Sequence, residues 1–254
     1  METRAYAVMA EKAELQPWSF DLRSVGSDDV QIAIEFSGVC HSDIHTGRSE
    51  SGDVHFPCVP GHEIVGRVSE VGAGVTTFTV GQRVGVGVYV DSCRTCANCL
   101  SGMSNYCLEG MTGTYNTPER DGKGVTQGGY ATSIVVNQGY VVSIPDGLDP
   151  AGTAPLLCAG ITLYSPLKEW GAGPGVKVGI IGLGGLGHMG VKFAKALGAH
   201  VTVLSHSASK RDDALAMGAD EFLLTSDESV FVDHAKKFDL LINTVSAPLD
   251  LNLY

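Results

Sequence analysis

The chain has 254 residues, 44% of them apolar, with 33 glycines and a formal charge of −11. That length accommodates one large or two ordinary domains, and the acidic balance argues against nucleic acid and anionic membranes as partners. Met1-Glu2-Thr3-Arg4 lacks a signal-peptide core and no apolar run reaches the ~20 residues of a membrane span, so a soluble, cytoplasmic protein is expected.

Val30-Gln31-Ile32-Ala33-Ile34-Glu35-Phe36 alternates strictly. This predicts a half-buried strand with Val30, Ile32, Ile34 and Phe36 on one face. Ser37-Gly38-Val39 then turns the chain into Cys40-His41-Ser42-Asp43-Ile44-His45, and Pro60-Gly61-His62-Glu63 follows. A thiolate, imidazoles and carboxylates gathered so closely are metal-ligand chemistry. Residues 64–90 read as short strands punctuated by glycine, at Ile64–Val71, Phe78–Val80 and Val84–Val90. More strand is expected over Gly128–Ile144, ending at Pro145-Asp146-Gly147. Short strands with frequent glycine turns predict a small barrel.

Within this region lies Cys93-x2-Cys96-x2-Cys99-x7-Cys107. Four thiolates at that spacing can close a tetrahedral zinc site of the structural type, which has no position for water and serves to pin a loop. The alternatives are free thiols or an iron–sulfur centre. Seven cysteines, four of them so crowded, suit a metal in a reducing compartment better than a disulfide framework.

At Val176 the pattern changes. An apolar strand, Val176–Ile181, runs into Gly182-Leu183-Gly184-Gly185-Leu186-Gly187, then an expected helix over Met189–Leu197 and a second strand over His200–Leu204. Strand, G-x-G-x-x-G, helix, strand is the context of a dinucleotide fingerprint. Gly182 permits the tight turn, Gly184 lets backbone approach a pyrophosphate, and Gly187 lets helix pack on strand. The helix N-terminus, with Gly185 and Leu186, faces the phosphates. After the second strand, where NAD sites carry an acidic residue, stands Ser205-His206-Ser207-Ala208-Ser209-Lys210-Arg211. Ser205 and Ser207 can donate hydrogen bonds, and Lys210 or Arg211 supplies charge for a 2′-phosphate, so NADP is expected. Helices over Ser209–Met217 and about Val230–Lys237, with strands at Glu221–Leu224 and Leu240–Thr244, extend a doubly wound parallel sheet.

Cys40 and His62 supply two candidate ligands for a second metal. Cys158, in Ala154-Pro155-Leu156-Leu157-Cys158-Ala159-Gly160, is a candidate third. Two thiolates and an imidazole leave a fourth position open, as a catalytic zinc needs. Spacing alone also permits Cys158 to be an inert core cysteine.

Taken together, these segments and Gln127-Gly128-Gly129-Tyr130 resemble the zinc-dependent medium-chain alcohol dehydrogenases, in which a Cys2His zinc is the known donor set. The likeness is to the cinnamyl-alcohol-dehydrogenase branch and its bacterial NADP-dependent broad-range aldehyde reductases. Met111–Asn116 carries no tryptophan, unlike the plant lignin-type members. The resemblance implies a GroES-like barrel domain over residues 1–150 and a Rossmann domain over 151–254, incomplete at its C-terminus against a full sheet of about six strands. It further implies a catalytic zinc on Cys40, His62 and Cys158, and a structural zinc on Cys93, Cys96, Cys99 and Cys107, two per chain. Glu63 is then the glutamate that approaches the metal, Asp43 the carboxylate that orients the ligating histidine, and Ser42 and His45 the proton relay. The implied reaction moves a hydride between NADP(H) and a primary alcohol or aldehyde, with aldehyde reduction favoured, and a full-length chain would form a homodimer. The alternatives are a truncated, inactive zinc- and nucleotide-binding remnant, or a zinc-free quinone reductase of the same superfamily.

Overall fold

The computed structural model describes residues 2–50 and 52–254. It resolves into two units, one ending at Cys158 and the other beginning at Ala159.

The first unit opens with an antiparallel hairpin, β1 (Glu2–Val8) and β2 (Leu15–Asp21). Ala5 and Ala7 of β1 are buried against Val59. β3 (Asp29–Ser37) follows, with Val30 and Ile32 fully buried. Phe36 leaves the predicted face and is 41% exposed. The register shifts between Ile34 and Phe36 opposite β4, and such a bulge reverses the alternation of every side chain beyond it. Helix α1 (His41–Gly47) carries the cysteine–histidine segment. Next come β4 (Ile64–Val71), β5 (Arg83–Val86), β6 (Tyr89–Asp91), α2 (Ala97–Leu100), β7 (Thr112–Gly113), β8 (Ser133–Asn137), β9 (Val141–Ser143) and α3 (Pro150–Thr153).

The main sheet runs β8-β3-β4-β5-β9, antiparallel throughout, as a curled half-barrel. Val30, Ile32, Ile64, Val68, Val84 and Val136 fill it. The strand expected at Phe78–Val80 does not form. Phe78 is buried, but the backbone closes a turn in which the Gln82 amide donates to the Thr79 carbonyl. The expected strand over Val84–Val90 breaks after Val86, where the Gly87 carbonyl is taken by the Thr114 hydroxyl.

The second unit contains α4 (Ala159–Glu169), β10 (Lys177–Ile181), α5 (Gly185–Ala196), β11 (His200–Ser205), α6 (Arg211–Ala216), β12 (Glu221–Leu224), α7 (Ser229–Asp233) and β13 (Leu240–Asn243). Its sheet is parallel, in the order β12-β11-β10-β13. That order matches four strands of a dinucleotide-binding sheet, whose ligand crevice lies at the carboxyl ends of the strands. Val178, Ile180, Val201 and Val203 are fully buried against Val191 and Ala194 of α5. Strands read as near-continuous apolar runs because both faces are covered. Helix α5 starts four residues before the predicted Met189, so Gly185-Leu186-Gly187 forms its first turn. α7 is shorter than predicted, and Lys236 beyond it takes a positive φ of 62° that no helix continues. Among the described residues no helix is long and apolar enough to cross a membrane.

Candidate active site

The site in the first unit is organised by one carboxylate. Cys40 is the N-cap of α1, and its amide donates to Asp43 Oδ2 at 2.9 Å. The same oxygen accepts from the Tyr130 hydroxyl at 3.0 Å. Asp43 Oδ1 accepts from the Gly61 amide at 3.0 Å and lies 3.3 Å from His62 Nδ1. Asp43 is only 5% exposed. Burial alone would raise its pKa, but the bonds from His62 and the Cys40 and Gly61 amides hold it below the usual range. It is therefore an ionised, fully engaged carboxylate. Its bond to Nδ1 leaves the other ring nitrogen of His62 facing the cysteines.

His62 Nε2 lies 3.3 Å from Cys158 Sγ, and Cys158 Sγ lies 3.8 Å from Cys40 Sγ. Cys158 sits just ahead of α4, at the end of a short 3-10 turn over Ala154–Leu157, which delivers its sulfur to the pair. Donors on a tetrahedral zinc, with Zn–S near ~2.3 Å, are about 3.8 Å apart. Cys40, His62, Glu63 and Cys158 all present a ligand atom within 4.8 Å of one another. The three expected ligands thus fit zinc, and Glu63, 3% exposed, stands beside them. The charge distribution agrees. Hydrogen bonds from Cys158 and His62 draw the Cys40 pKa down to about 3. Cys158 is pushed up by its bond to Cys40 and by burial. Burial lowers the His62 pKa, but Asp43 and Cys40 more than offset this and raise it to about 9. Protons held in such a set are the ones a divalent cation displaces. Burial and the Cys40 thiolate raise the Glu63 pKa.

Ser42 Oγ lies 3.6 Å from Cys40 Sγ, and so beside the donor set. His45 is one turn further along α1. Its Nδ1 is 2.6 Å from Glu50 Oε2, and its ring centroid is 4.7 Å from that of His41. Nothing in the sequence marks Glu50, since a carboxylate five residues from a histidine carries no spacing signal. Tyr115, its ring 5.6 Å from that of His62, is a second unforeseen neighbour. Cys58 stays apart from both clusters, 2% exposed, with its thiol pushed by burial up to about 12.

The four-cysteine lobe converges as its spacing predicts. Cys93 and Cys99 sulfurs are 3.8 Å apart, Cys96 and Cys99 3.4 Å, and all four lie within 4.8 Å. Amides point at the sulfurs, Cys96 N–H to Cys93 at 3.3 Å and Leu108 N–H to Cys96 at 3.5 Å. Such donors favour thiolates, and those from Leu108 and Cys99 bring Cys96 down to about 6. Four sulfurs close a tetrahedron and leave no open position.

In the second unit, Gly182 has φ +87°, and a Cβ on Gly187 would strike the Gly182 carbonyl. Gly184 and Gly185 have nothing within 4 Å of a Cβ position, so the backbone there faces open space. The first intrahelical bond of α5 runs from the His188 amide to the Gly184 carbonyl, leaving the amides ahead of it, Leu186 among them, at a free helix N-terminus. Lys210 Nζ donates to the Leu183 carbonyl at 2.7 Å, which holds its charge at this loop. Arg211 is committed elsewhere, to the Phe222 carbonyl and over the Phe222 ring. Ser205 is only 5% exposed, and its hydroxyl accepts from the Ser207 amide. Ser207 and Ser209 hydroxyls are 3.0 Å apart nearer the surface.

Two family models match, the alcohol dehydrogenase GroES-like domain over residues 26–146 and the zinc-binding dehydrogenase over residues 185–254. NADP-dependent alcohol dehydrogenase C 1 of Mycolicibacterium smegmatis is 55% identical over 251 residues, covering 98% of this chain and 72% of the relative. The chain belongs to the zinc-dependent alcohol dehydrogenase family. Aldehyde reductase YahK of Escherichia coli is 50% identical, over 99% of this chain and 72% of that protein. The structure of cinnamyl alcohol dehydrogenase from Sorghum bicolor superposes with a TM-score of 0.95 at 46% identity, over 98% of this chain and 71% of that one. The GroES-like and Rossmann expectations and the oxidoreductase class hold, and the zinc-free and inactive alternatives are not favoured.

Proposed function

We propose that this protein transfers a hydride between NADP(H) and a primary alcohol or aldehyde, working in the cytoplasm in the direction of aldehyde reduction. Residues 1–150 form its zinc-binding catalytic domain and residues 151–254 its dinucleotide-binding domain, in a protein that pairs as a homodimer. The convergence of Cys40, His62 and Cys158 at tetrahedral spacing, with Asp43 behind His62, carries the proposal. A zinc held there supplies Lewis acidity toward the substrate oxygen, and the nicotinamide supplies the hydride.

The chain's own residues do the rest. Asp43 fixes the tautomer and direction of His62. Glu63 offers a carboxylate that can enter the donor set when a ligand leaves. Ser42 hands the proton on toward His45, whose partner Glu50 lies at the surface. A hydroxyl and an imidazole suit this, since each donates and accepts. Gly182, Gly184, Gly185, Leu186 and Gly187 present backbone to the pyrophosphate, while Ser207 and Lys210 take the 2′-phosphate with Ser205 bracing the turn. Cys93, Cys96, Cys99 and Cys107 hold a second, structural zinc.

Metal analysis of the purified protein, with aldehyde-dependent oxidation of NADPH and of NADH followed side by side, tests this. The expected result is two zinc per chain and a clear NADPH preference. Absence of zinc, or a preference for NADH, would overturn it.

A further inference from the structure

Tyr130, like Tyr115, borders Asp43 without taking a step in the proposed reaction. Its hydroxyl donates to Asp43 Oδ2 at 3.0 Å, on the oxygen that also receives the Cys40 amide. Its position is fixed from every side. The Tyr130 amide donates to the Pro60 carbonyl at 2.9 Å, and its carbonyl accepts from the Tyr6 amide at 2.8 Å. Its ring packs on the cluster of Ala5, Ala7 and Val59. On the other flank, a Cβ at Gly61 would come within 2.7 Å of the Tyr130 ring and 2.9 Å of its amide nitrogen, and Gly61 has φ +102°. Only glycine allows the segment that carries His62 to lie so close to this tyrosine. The hydroxyl is thus anchored by backbone bonds on two neighbouring segments, one of which carries His62 itself. Burial, with the Asp43 charge beside it, pushes the phenol's pKa up, so it stays neutral and remains a donor.

We propose that Tyr130 is a positioning residue for the metal centre, holding the Asp43 carboxylate in the rotamer that orients His62. With both oxygens of Asp43 engaged, the carboxylate cannot rotate without breaking several bonds at once. Without the phenol, Oδ2 loses a partner that it has alongside the Cys40 amide, and the plane of the carboxylate loosens against His62 Nδ1. His62 Nε2 then points less firmly at Cys158 and Cys40. The inference rests on the zinc reading of Cys40, His62 and Cys158, and extends it by one further step outward.

Tyr130→Phe removes the hydroxyl and keeps the ring packing. With the full chain loaded with Co2+ at the open site, wild type should show the absorption of a tetrahedral thiolate–imidazole centre. Y130F should shift those bands and release the metal to a chromogenic chelator about tenfold faster, the lower end of what outer partners of a ligating histidine contribute. The four-cysteine lobe is the internal reference, and its release rate should not change. Asp43→Asn and the double variant complete a cycle. If Tyr130 acts through Asp43, adding Y130F to D43N changes release by less than about twofold. Y130F with wild-type spectrum and release rate would overturn the inference. So would additive effects of the two substitutions, or parallel loss of metal from the lobe, which would mark a general loosening. Wild type that takes up no cobalt at Cys40, His62 and Cys158 would instead overturn the zinc reading beneath it.

Discussion

The two cysteine clusters of the first unit hold similar donors in opposite ways. Cys93, Cys96, Cys99 and Cys107 come from one short segment, with amides of that same segment aimed at the sulfurs. Cys40, His62 and Cys158 come from three segments, and a carboxylate that is not itself one of the three expected ligands binds two of them together through Asp43–Cys40 and Asp43–His62 contacts. The first cluster needs only its own loop. The second needs the sheet, α1 and the turn before α4. A site that closes on itself can be local. A site that must leave a position open borrows its rigidity from elsewhere, and Asp43 with its partners is where that rigidity is supplied.

Removing a ligand from each cluster breaks the comparison most sharply. Cys40→Ser should lower aldehyde-dependent NADPH oxidation by ~10^3-fold, corresponding to the several kcal/mol of Lewis-acid assistance lost, while one metal per chain is retained. Cys99→Ser should do the reverse. The catalytic metal stays, the lobe loses its own, and the melting temperature falls by about 6–12 °C for a cost of about 3 kcal/mol. If C40S also emptied the lobe, the two clusters would be one cooperative unit. Lys210→Ala should raise the KM for NADPH about tenfold and leave NADH nearly unchanged, as expected for a charge-assisted hydrogen bond. Equal effects on both cofactors would assign Lys210 to the Leu183 loop alone.

Glu50→Gln should have the smallest effect, a drop in turnover of about threefold. Glu50 is exposed, and its bond from His45 lowers its pKa below the ordinary 4.5. A lowered carboxylate contributes above its ordinary value and loses that contribution as pH falls through the folded one. The wild-type and E50Q rates should therefore differ at neutral pH and converge in acid. A constant ratio at all pH values would remove Glu50 from the proton path.

The convergence of the four cysteines is legible in the sequence because their spacing is their geometry. The glycine fingerprint was legible for the same reason, and only the start of α5 moved, since Gly185 can begin a helix whose amides face open space. The open site was half legible. Cys40 and His62 stood out, but Cys158 was indistinguishable by spacing from a core cysteine and needed the family likeness. What stayed hidden was what tertiary packing alone decides. The bulge that turns Phe36 outward, the hairpin of β1 and β2, and the arrival of Glu50 on His45 and Tyr130 on Asp43 have no periodic signal.

The spread of the proposed ligands also bears on an order of assembly. Cys93 and Cys107 are 14 residues apart, whereas Cys40 and Cys158 are separated by 118. Closing the longer loop costs about 2 kcal/mol more in chain entropy before any bond is gained. On a growing chain the lobe can load as soon as Cys107 is free, while α1 and the segment carrying His62 must wait for Cys158. A nascent chain stalled between those two cysteines should carry one metal, and one stalled beyond Cys158 should carry two.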